Sequence, residues 1–283
     1  MASPTVARAP SAGRTPGRGR TVAAALGLLV LSFGALVVTV SYLLDDPEGQ
    51  RLDQAAMEAV YARREALDQL LSVLGYLSIG TMAAAILVLV AMAVLRQRYA
   101  AAIGAVVVVA GANITTQVLK HAVLERPDHG YGWHVNSLPS GHTTAAISLV
   151  VAALLVAPVA VRGLVVLAGS CAVVLTGVST VVAGWHRPSD VVAALAVGLF
   201  WGAAVVLVLA LRRGGPSAGT FFTSLLLALI GAAVAGAVLL VVGVRPDGGW
   251  SGFAPAAAVM ALIGAATALT VAVFDRVSSV FAR

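Results

Sequence analysis

Long apolar segments dominate this sequence and constrain its fold more than any other feature. Of its 283 residues, 60% are hydrophobic and only 11% are charged, whereas a soluble domain carries roughly twice that charged fraction. Apolar runs of about twenty residues, long enough to cross a bilayer as helices, recur along almost the whole chain. The sequence therefore predicts an all-α, polytopic transmembrane helical bundle with eight spans, near residues 22–44, 70–95, 100–119, 142–160, 163–183, 189–211, 221–243 and 254–274.

The distribution of charge predicts the orientation of these spans. With the N-terminus in the cytoplasm, eleven of the 18 basic residues fall in inner loops and tails, as expected when arginine accumulates on the cytoplasmic side. Eleven of the 12 acidic residues and all 5 histidines then fall on the outer side. We expect a multi-pass protein of the cell membrane, with cytoplasmic termini, an extracytoplasmic active site and membrane lipids as neighbours. The dispersed basic residues do not indicate nucleic-acid binding.

The segments outside the central spans lead to three further predictions. Residues 1–21 are rich in Arg, Pro and Gly and predict a disordered basic cytoplasmic tail, because the apolar run that follows is too long for a signal peptide. Residues 45–69 predict an amphipathic interfacial helix that leads into the second span, although a simple connecting helix would show the same pattern. Residues 212–283 predict two additional transmembrane helices with a packing role and a short C-terminal tail.

Polar residues collect at the outer ends of the third and fourth predicted spans. Lys120 and Arg126 together form a receptor for a phosphate or carboxylate. Ser140 is suited to cap the fourth span, and Gly141 allows a ligand to approach the open helix start, where free N–H groups bind anions. His142 follows directly. Taken singly, these residues are also explained by a snorkelling lysine and a capped helix with an interfacial histidine.

A third group lies in the segment GWHRPSD at residues 184–190. His186 and Asp190 are four residues apart and share one face of a helix. A carboxylate fixes the tautomer of a neighbouring imidazole, which then acts as a base or a nucleophile. An exposed ion pair at a helix end is the ordinary alternative. Because cations, an anion-binding helix start and a His–Asp pair all converge on one face, the sequence predicts a phosphoryl-transfer site.

These groups resemble the signature of the type 2 phosphatidic acid phosphatase (PAP2) superfamily of membrane lipid phosphatases. The central motif is intact at residues 139–142, which read Pro-Ser-Gly-His, and Ser179, His186 and Asp190 follow at the spacing of the family. The resemblance covers roughly residues 50–211 and implies a six-helix membrane core within residues 22–211.

The resemblance also implies an activity and a role for each residue. The expected reaction is metal-independent hydrolysis of a lipid phosphate or diphosphate, polyprenyl or glycerolipid, through a phosphohistidine, with no metal and no cofactor. His186 is then the nucleophile, Asp190 orients it, and His142 protonates the leaving oxygen. The phosphate is held by Lys120, Arg126, Ser140 and the amide of Gly141.

The chain departs from the family pattern at two places. Five residues separate Lys120 from Arg126, where the family usually has six. Because Arg126 precedes a proline, we expect it to lie beyond the end of the helix, where a loop absorbs the difference. Thr180 stands where the family has a phosphate-binding arginine, and Arg187 is the candidate to replace that arginine.

Three other readings of the same residues stay open at this stage. The phosphohistidine could pass its phosphoryl group to an acceptor alcohol instead of water, which would make the protein a phosphotransferase. The pocket could belong to a non-catalytic transporter or binding protein for an anionic lipid headgroup. A metal site formed by His142, His186 and Asp190 is the third reading. The sequence does not indicate the identity of the lipid or the oligomeric state.

Overall fold

The computed structural model describes residues 16–60, 62, 64–75, 79–133, 135–212, 220–244 and 252–281. This part of the chain forms an all-α bundle, as predicted. Its ten α-helices are α1 (Pro16–Val38), α2 (Pro47–Glu58), α3 (Arg64–Gly75), α4 (Ile79–Leu95), α5 (Tyr99–Val118), α6 (Gly141–Val156), α7 (Val159–Val182), α8 (Pro188–Arg212), α9 (Phe221–Val242) and α10 (Phe253–Ser278). Helices α1 and α5 continue into the π-helical turns Thr39–Leu44 and Leu119–Val123, and α10 ends in the 3-10 turn Ser279–Phe281.

The lengths and surfaces of these helices are those of a membrane-embedded bundle. Among the described residues, 6 helices are long and apolar enough to cross a bilayer, while α4 and α6 are apolar but shorter. Large apolar side chains lie on the outside of the bundle, for example Val30, Leu87 and Val241, which are 73%, 67% and 85% exposed. The predicted polytopic helical fold is confirmed.

Helix α8 lies at the centre of the bundle, where it packs against α1, α5, α6 and α10. The core between these helices includes Ile147 and Val151 of α6, Leu199 of α8 and Phe274 of α10. A Cβ atom on Gly202 would lie 2.6 Å from the ring of Phe274, so glycine permits the close approach of α8 and α10. Helices α9 and α10 pack on each other and on α7, which is the packing role predicted for the last two spans.

The N-terminal half differs from the predicted spans at its helix boundaries. Helix α1 begins at Pro16 rather than at residue 22, since proline is favoured in the first turn; residues 1–15 of the predicted tail lie outside the described part. The predicted single span at 70–95 is divided between α3 and α4, with residues 76–78 not described. Residues 45–69 form two helices instead of one, and Ala62 between them pairs with Val244 in an isolated β-bridge.

A buried polar network joins four helices near Val159, where α7 begins. The Arg162 guanidinium donates to Asp275 Oδ1 at 2.8 Å and to the Leu154 carbonyl at 2.6 Å. Asp275 Oδ2 accepts from the Ser224 hydroxyl at 2.6 Å. The sequence placed Arg162 in an inner loop, but it lies within α7 and is buried. Its burial is possible because it pairs with Asp275, the one acidic residue predicted on the same side. The network links α6, α7, α9 and α10.

Candidate active site

The predicted site residues meet at the opposite end of the bundle, where α5 and α7 end and α6 and α8 begin. Lys120 lies in the π-helical turn after α5, and Leu124 closes that turn in an extended conformation. Arg126 therefore lies beyond the helix, as its position before a proline predicted. Asn136 holds this connection together, because its side-chain amide donates to the carbonyls of Lys120 and Leu124 at 3.3 and 3.0 Å.

The His–Asp pair is formed and buried. His186 Nδ1 lies 3.0 Å from Asp190 Oδ2, and the same oxygen accepts from the Ser137 hydroxyl at 2.6 Å and from the Arg187 backbone N–H at 3.0 Å. Asp190 is fully buried and His186 is 7% exposed. A carboxylate bound to Nδ1 keeps the proton on that nitrogen and leaves the Nε2 lone pair for chemistry.

The prediction that His186 and Asp190 share one face of a helix is wrong. A turn before α8 brings the two side chains together instead. Helix α8 begins at Pro188, and the residue before a proline disfavours helix, so His186 precedes the helix. The turn after α7 reverses at Gly184, whose φ is +70°. The N–H groups of Trp185 and His186 then donate to the Thr180 carbonyl at 3.1 and 3.2 Å, which brings the imidazole back towards Asp190.

The start of α6 is capped as predicted. Ser140 Oγ accepts from the Thr143 N–H at 3.4 Å, and the Ser140 N–H donates to the Asp190 carbonyl at 2.9 Å, which ties α6 to α8. The Ser140 side chain is fully buried and serves as this cap, so its direct contact with phosphate stays a prediction. Within the described residues, a Cβ atom on Gly141 would approach only Gln117 Nε2, at 3.8 Å. The helix start is therefore open.

His142 lies next to the turn that carries His186. Its ring centroid is 5.6 Å from the Trp185 ring centroid, with an angle of 33° between the planes. His142 is half-buried. Two other described histidines take no part in this cluster, since His121 is exposed and His129 lies 2.9 Å from the Asp45 carbonyl. His134 lies outside the described residues.

Arg126 carries a buried charge that its protein neighbours do not satisfy. The residue is 7% exposed, and its three guanidinium nitrogens find no hydrogen-bond acceptor among the described residues. Among the described residues, the nearest carboxylate oxygen is Asp190 Oδ1, which lies 3.9 Å away and accepts no hydrogen bond itself. Burial, followed by the charge of Arg187, lowers the pKa of Arg126. Buried guanidinium groups are rarely left without partners, so this one indicates a place for an anion.

Thr180 cannot supply the positive charge of the arginine expected at its position. Arg187 instead lies in a cleft beside His186. Thr180 is fully buried and its hydroxyl donates to the Gly177 carbonyl at 2.8 Å. The Arg187 Nε donates to Gln54 Oε1 at 3.0 Å, and its Nη2 lies 3.4 Å from the Tyr131 carbonyl. Within the described residues Arg187 forms no ion pair, so its charge is not neutralised. The cleft is lined by Arg187, His186, Ser137, Met57, Trp133 and Trp185.

Three further residues support the site, although the sequence did not predict them. Ser137 lies two residues before the Pro-Ser-Gly-His motif, and that position is the only signal for it. The Asp53 carboxylate accepts from the Ser189 N–H at 3.0 Å and from the Ser189 hydroxyl, and Gln54 binds Arg187. Both lie on α2, far from the motif in sequence, where only an amphipathic or connecting helix was expected. Burial, together with the charge of Asp190, raises the pKa of Asp53 to about 6.

Comparison with known families identifies part of the chain. Residues 101–214 match the sequence model of the PAP2 superfamily. This match supports PAP2 superfamily membership for that region. Comparison with curated proteins found no match, and comparison with solved structures found none either. The matched PAP2 region contains every predicted site residue from Lys120 to Asp190, whereas Asp53 and Gln54 lie outside it.

A metal site was the third alternative for these residues. Within the described part of the chain, no group of three or more His, Cys, Asp or Glu side chains is arranged to hold a metal ion. His186 and Asp190 bind each other directly, and His142 packs against Trp185 instead of completing a donor set. The described residues thus do not form the donor cluster that the metal reading needs.

Proposed function

We propose that this protein is a membrane phosphatase that hydrolyses a lipid phosphate or diphosphate at the extracytoplasmic face through a phosphohistidine intermediate. One observation carries the proposal: the buried His186–Asp190 pair lies beside Arg126, a buried guanidinium whose nitrogens have no acceptor among the described residues. A nucleophile next to an unsatisfied cation suits phosphoryl transfer. Membership in a superfamily of phosphatases supports the same reaction.

The first step transfers the phosphoryl group to the enzyme. His186 Nε2 attacks phosphorus, the bond between phosphorus and the lipid oxygen breaks, and protonated His142 gives its proton to that oxygen. Asp190 holds the His186 ring and stabilises the positive charge that develops on it. Lys120, Arg126, Arg187 and the first amides of α6 bind the phosphate oxygens, and Ser140 keeps that helix start in place.

The second step releases phosphate. Water attacks the phosphohistidine, His142 accepts a proton from this water, and the bond between phosphorus and His186 Nε2 breaks. A histidine that donates a proton in one step and accepts it in the next is restored after each turnover. No residue in this scheme requires a metal ion.

The surroundings of the cleft favour a lipid over a water-soluble phosphate. Met57, Trp133 and Trp185 line it beside His186, and the two tryptophans are 51% and 40% exposed. Tryptophan rings of this kind are common at the membrane–water interface. The aromatic side chains would receive the part of a lipid next to its headgroup while the phosphate reaches the cations.

The proposal is tested by phosphate release from purified protein in detergent with a chelator present. The substrates are phosphatidic acid, phosphatidylglycerol phosphate, polyprenyl phosphate and diphosphate, with glycerol phosphate as the soluble comparison. We expect release from at least one lipid, abolished by His186→Ala and unchanged by His121→Ala, which alters an exposed histidine outside the cluster. An acceptor alcohol that gains the phosphate would indicate a phosphotransferase. No release from any substrate would reject the phosphatase and favour a binding protein.

A further inference from the structure

Helix α2 lies outside the matched PAP2 region, yet its polar side faces the start of α8. Gln50 and Asp53 are 1% and 4% exposed, although the polar side of an amphipathic helix usually faces water. Gln50 Nε2 donates to the Pro127 carbonyl at 2.9 Å, directly after Arg126. A buried polar face of this kind is costly unless each group has a partner, and here the partners are parts of the candidate site.

Asp53 fixes the first turn of α8. Its carboxylate accepts both the backbone N–H and the hydroxyl of Ser189, the residue between Pro188 and Asp190. A negative charge at the start of a helix also interacts favourably with the helix dipole. Since Asp190 follows Ser189, the contact fixes the backbone from which the catalytic carboxylate reaches His186.

Gln54, the next residue of α2, holds Arg187. Its Oε1 accepts from Arg187 Nε at 3.0 Å, and its Nε2 donates to Glu58 Oε1 at 2.8 Å, which orients the amide. Gly132 packs so closely that a Cβ atom there would overlap Gln54 Oε1 and Arg187 Nη2, and its φ is +73°. A neutral amide and backbone carbonyls therefore hold Arg187 in the cleft without neutralising its charge.

We propose that α2 is a structural part of the active site, in which Asp53 positions the His186–Asp190 pair through Ser189 and Gln54 positions Arg187 as the phosphate ligand that replaces the missing arginine at Thr180. This inference rests on the proposed phosphatase function. It extends the site to residues outside the matched family region. It also gives two neighbouring residues of one helix different kinetic roles, because one acts on the nucleophile and the other acts on phosphate binding.

The test is a comparison of kcat and KM for two α2 variants with the lipid substrate that the wild type hydrolyses. Asp53→Asn removes the charge but little volume, and we expect kcat to fall about tenfold with KM nearly unchanged. Gln54→Ala frees Arg187, and we expect KM to rise about tenfold with a smaller change in kcat. Glu48→Gln is the matched control, since it alters an exposed carboxylate of the same helix.

Two further measurements separate positioning from a general loss of folding. Because Asp53 acts through Ser189, the double variant Asp53→Asn/Ser189→Ala should be no slower than the slower single variant. Binding of orthovanadate, followed by tryptophan fluorescence, should weaken about tenfold in Gln54→Ala and stay unchanged in Asp53→Asn.

Each outcome bears on one of the two proposals. If the wild type is active and both α2 variants keep kcat and KM within about twofold, or if both lose only folded protein at unchanged kinetic constants, the role of α2 is rejected while the phosphatase function stands. A wild type that neither releases phosphate nor binds vanadate would reject the proposed function, and the inference with it.

Discussion

At the scale of single residues, Arg126 shows how the site favours binding over stability. Its guanidinium is buried, yet the nearest carboxylate oxygen is 3.9 Å away and no hydrogen bond reaches it from the described residues. A buried guanidinium without hydrogen bonds lowers the stability of the folded chain. A bound phosphate would supply the missing acceptors.

Arg126→Met should therefore change stability and activity in opposite directions. We expect the free energy of unfolding to rise by about 1 kcal/mol or more because the unsatisfied charge is removed. We also expect kcat/KM to fall about 100-fold because a phosphate ligand is lost. Thermal unfolding in detergent and phosphate release measure the two effects.

Arg51→Met serves as the control for Arg126, because Arg51 is an exposed arginine that pairs with Glu48. It should leave both quantities unchanged. A less stable Arg126→Met protein with wild-type activity would show that Arg126 is a structural residue.

The residues of the site divide into those with a local sequence signal and those without one. His142, His186 and Asp190 lie in short segments in which ionisable groups interrupt apolar runs, so the sequence alone singles them out. Asp53 contacts Ser189 across 136 positions, and nothing around Asp53 distinguishes it from a solvated charge on an ordinary helix. Contacts of this kind depend on how helices pack, which no short segment encodes.

At the scale of helices, the length of the apolar runs predicted where the helices lie but not the residues at which they begin and end. A run of about twenty apolar residues is a local property, so each predicted span corresponds to a helix or, at 70–95, to parts of two. The ends depend on prolines and caps: α6 stops at Val156 before Pro158, and α8 starts at Pro188. The contacts of α2 with the site could not be predicted, because its buried side is polar and that side has partners only in the folded bundle.

The burial of Asp53 in α2 should make stability depend on pH. Its pKa is raised from 3.8 to about 6, so the folded chain binds this proton more tightly than the unfolded chain. The sign follows: Asp53 favours folding while it is protonated, and that contribution is lost as pH rises from about 4 to about 6. The pKa difference corresponds to at most about 3 kcal/mol, an upper limit because Asp190 and Arg126 also act on this carboxyl.

The measurement for Asp53 is the difference in unfolding free energy between Asp53→Asn and the wild type, followed from pH 4 to pH 7. We expect the variant to gain relative stability across this range, with Glu48→Gln as the exposed control. A difference that stays constant with pH would show that Asp53 titrates as it does in the unfolded chain.

At the scale of the whole molecule, the two ends of the bundle have different tasks. One end carries the candidate site, and the other carries the network of Arg162, Asp275 and Ser224. About 25 Å of α7 separates Arg162 from the residues near Ser179, at 1.5 Å per residue. The network ties α9 and α10, which lie entirely outside the matched region, to α6 and α7 within it. Which end faces the cytoplasm stays a prediction from the distribution of arginine.

Arg162→Ala should lower the stability of the bundle without changing the chemistry. Removing one partner of a buried ion pair leaves Asp275 unpaired, which costs about 3–5 kcal/mol. The turnover number of the protein that remains folded should equal that of the wild type, because the network is far from His186. The double variant Arg162→Met/Asp275→Leu should be more stable than Arg162→Ala. A stability close to that of the wild type in Arg162→Ala would refute this role.

The central claim is that His186 carries the phosphoryl group during turnover, and trapping that intermediate tests it most directly. Purified protein is mixed with a radiolabelled lipid phosphate in the presence of a chelator, denatured within milliseconds to seconds, and mapped by peptide. We predict label on His186 that is stable in alkali and lost in acid, as for a phosphorus–nitrogen bond, and no label in His186→Ala. Phosphate release without label on His186, or with label on another residue, would contradict the account.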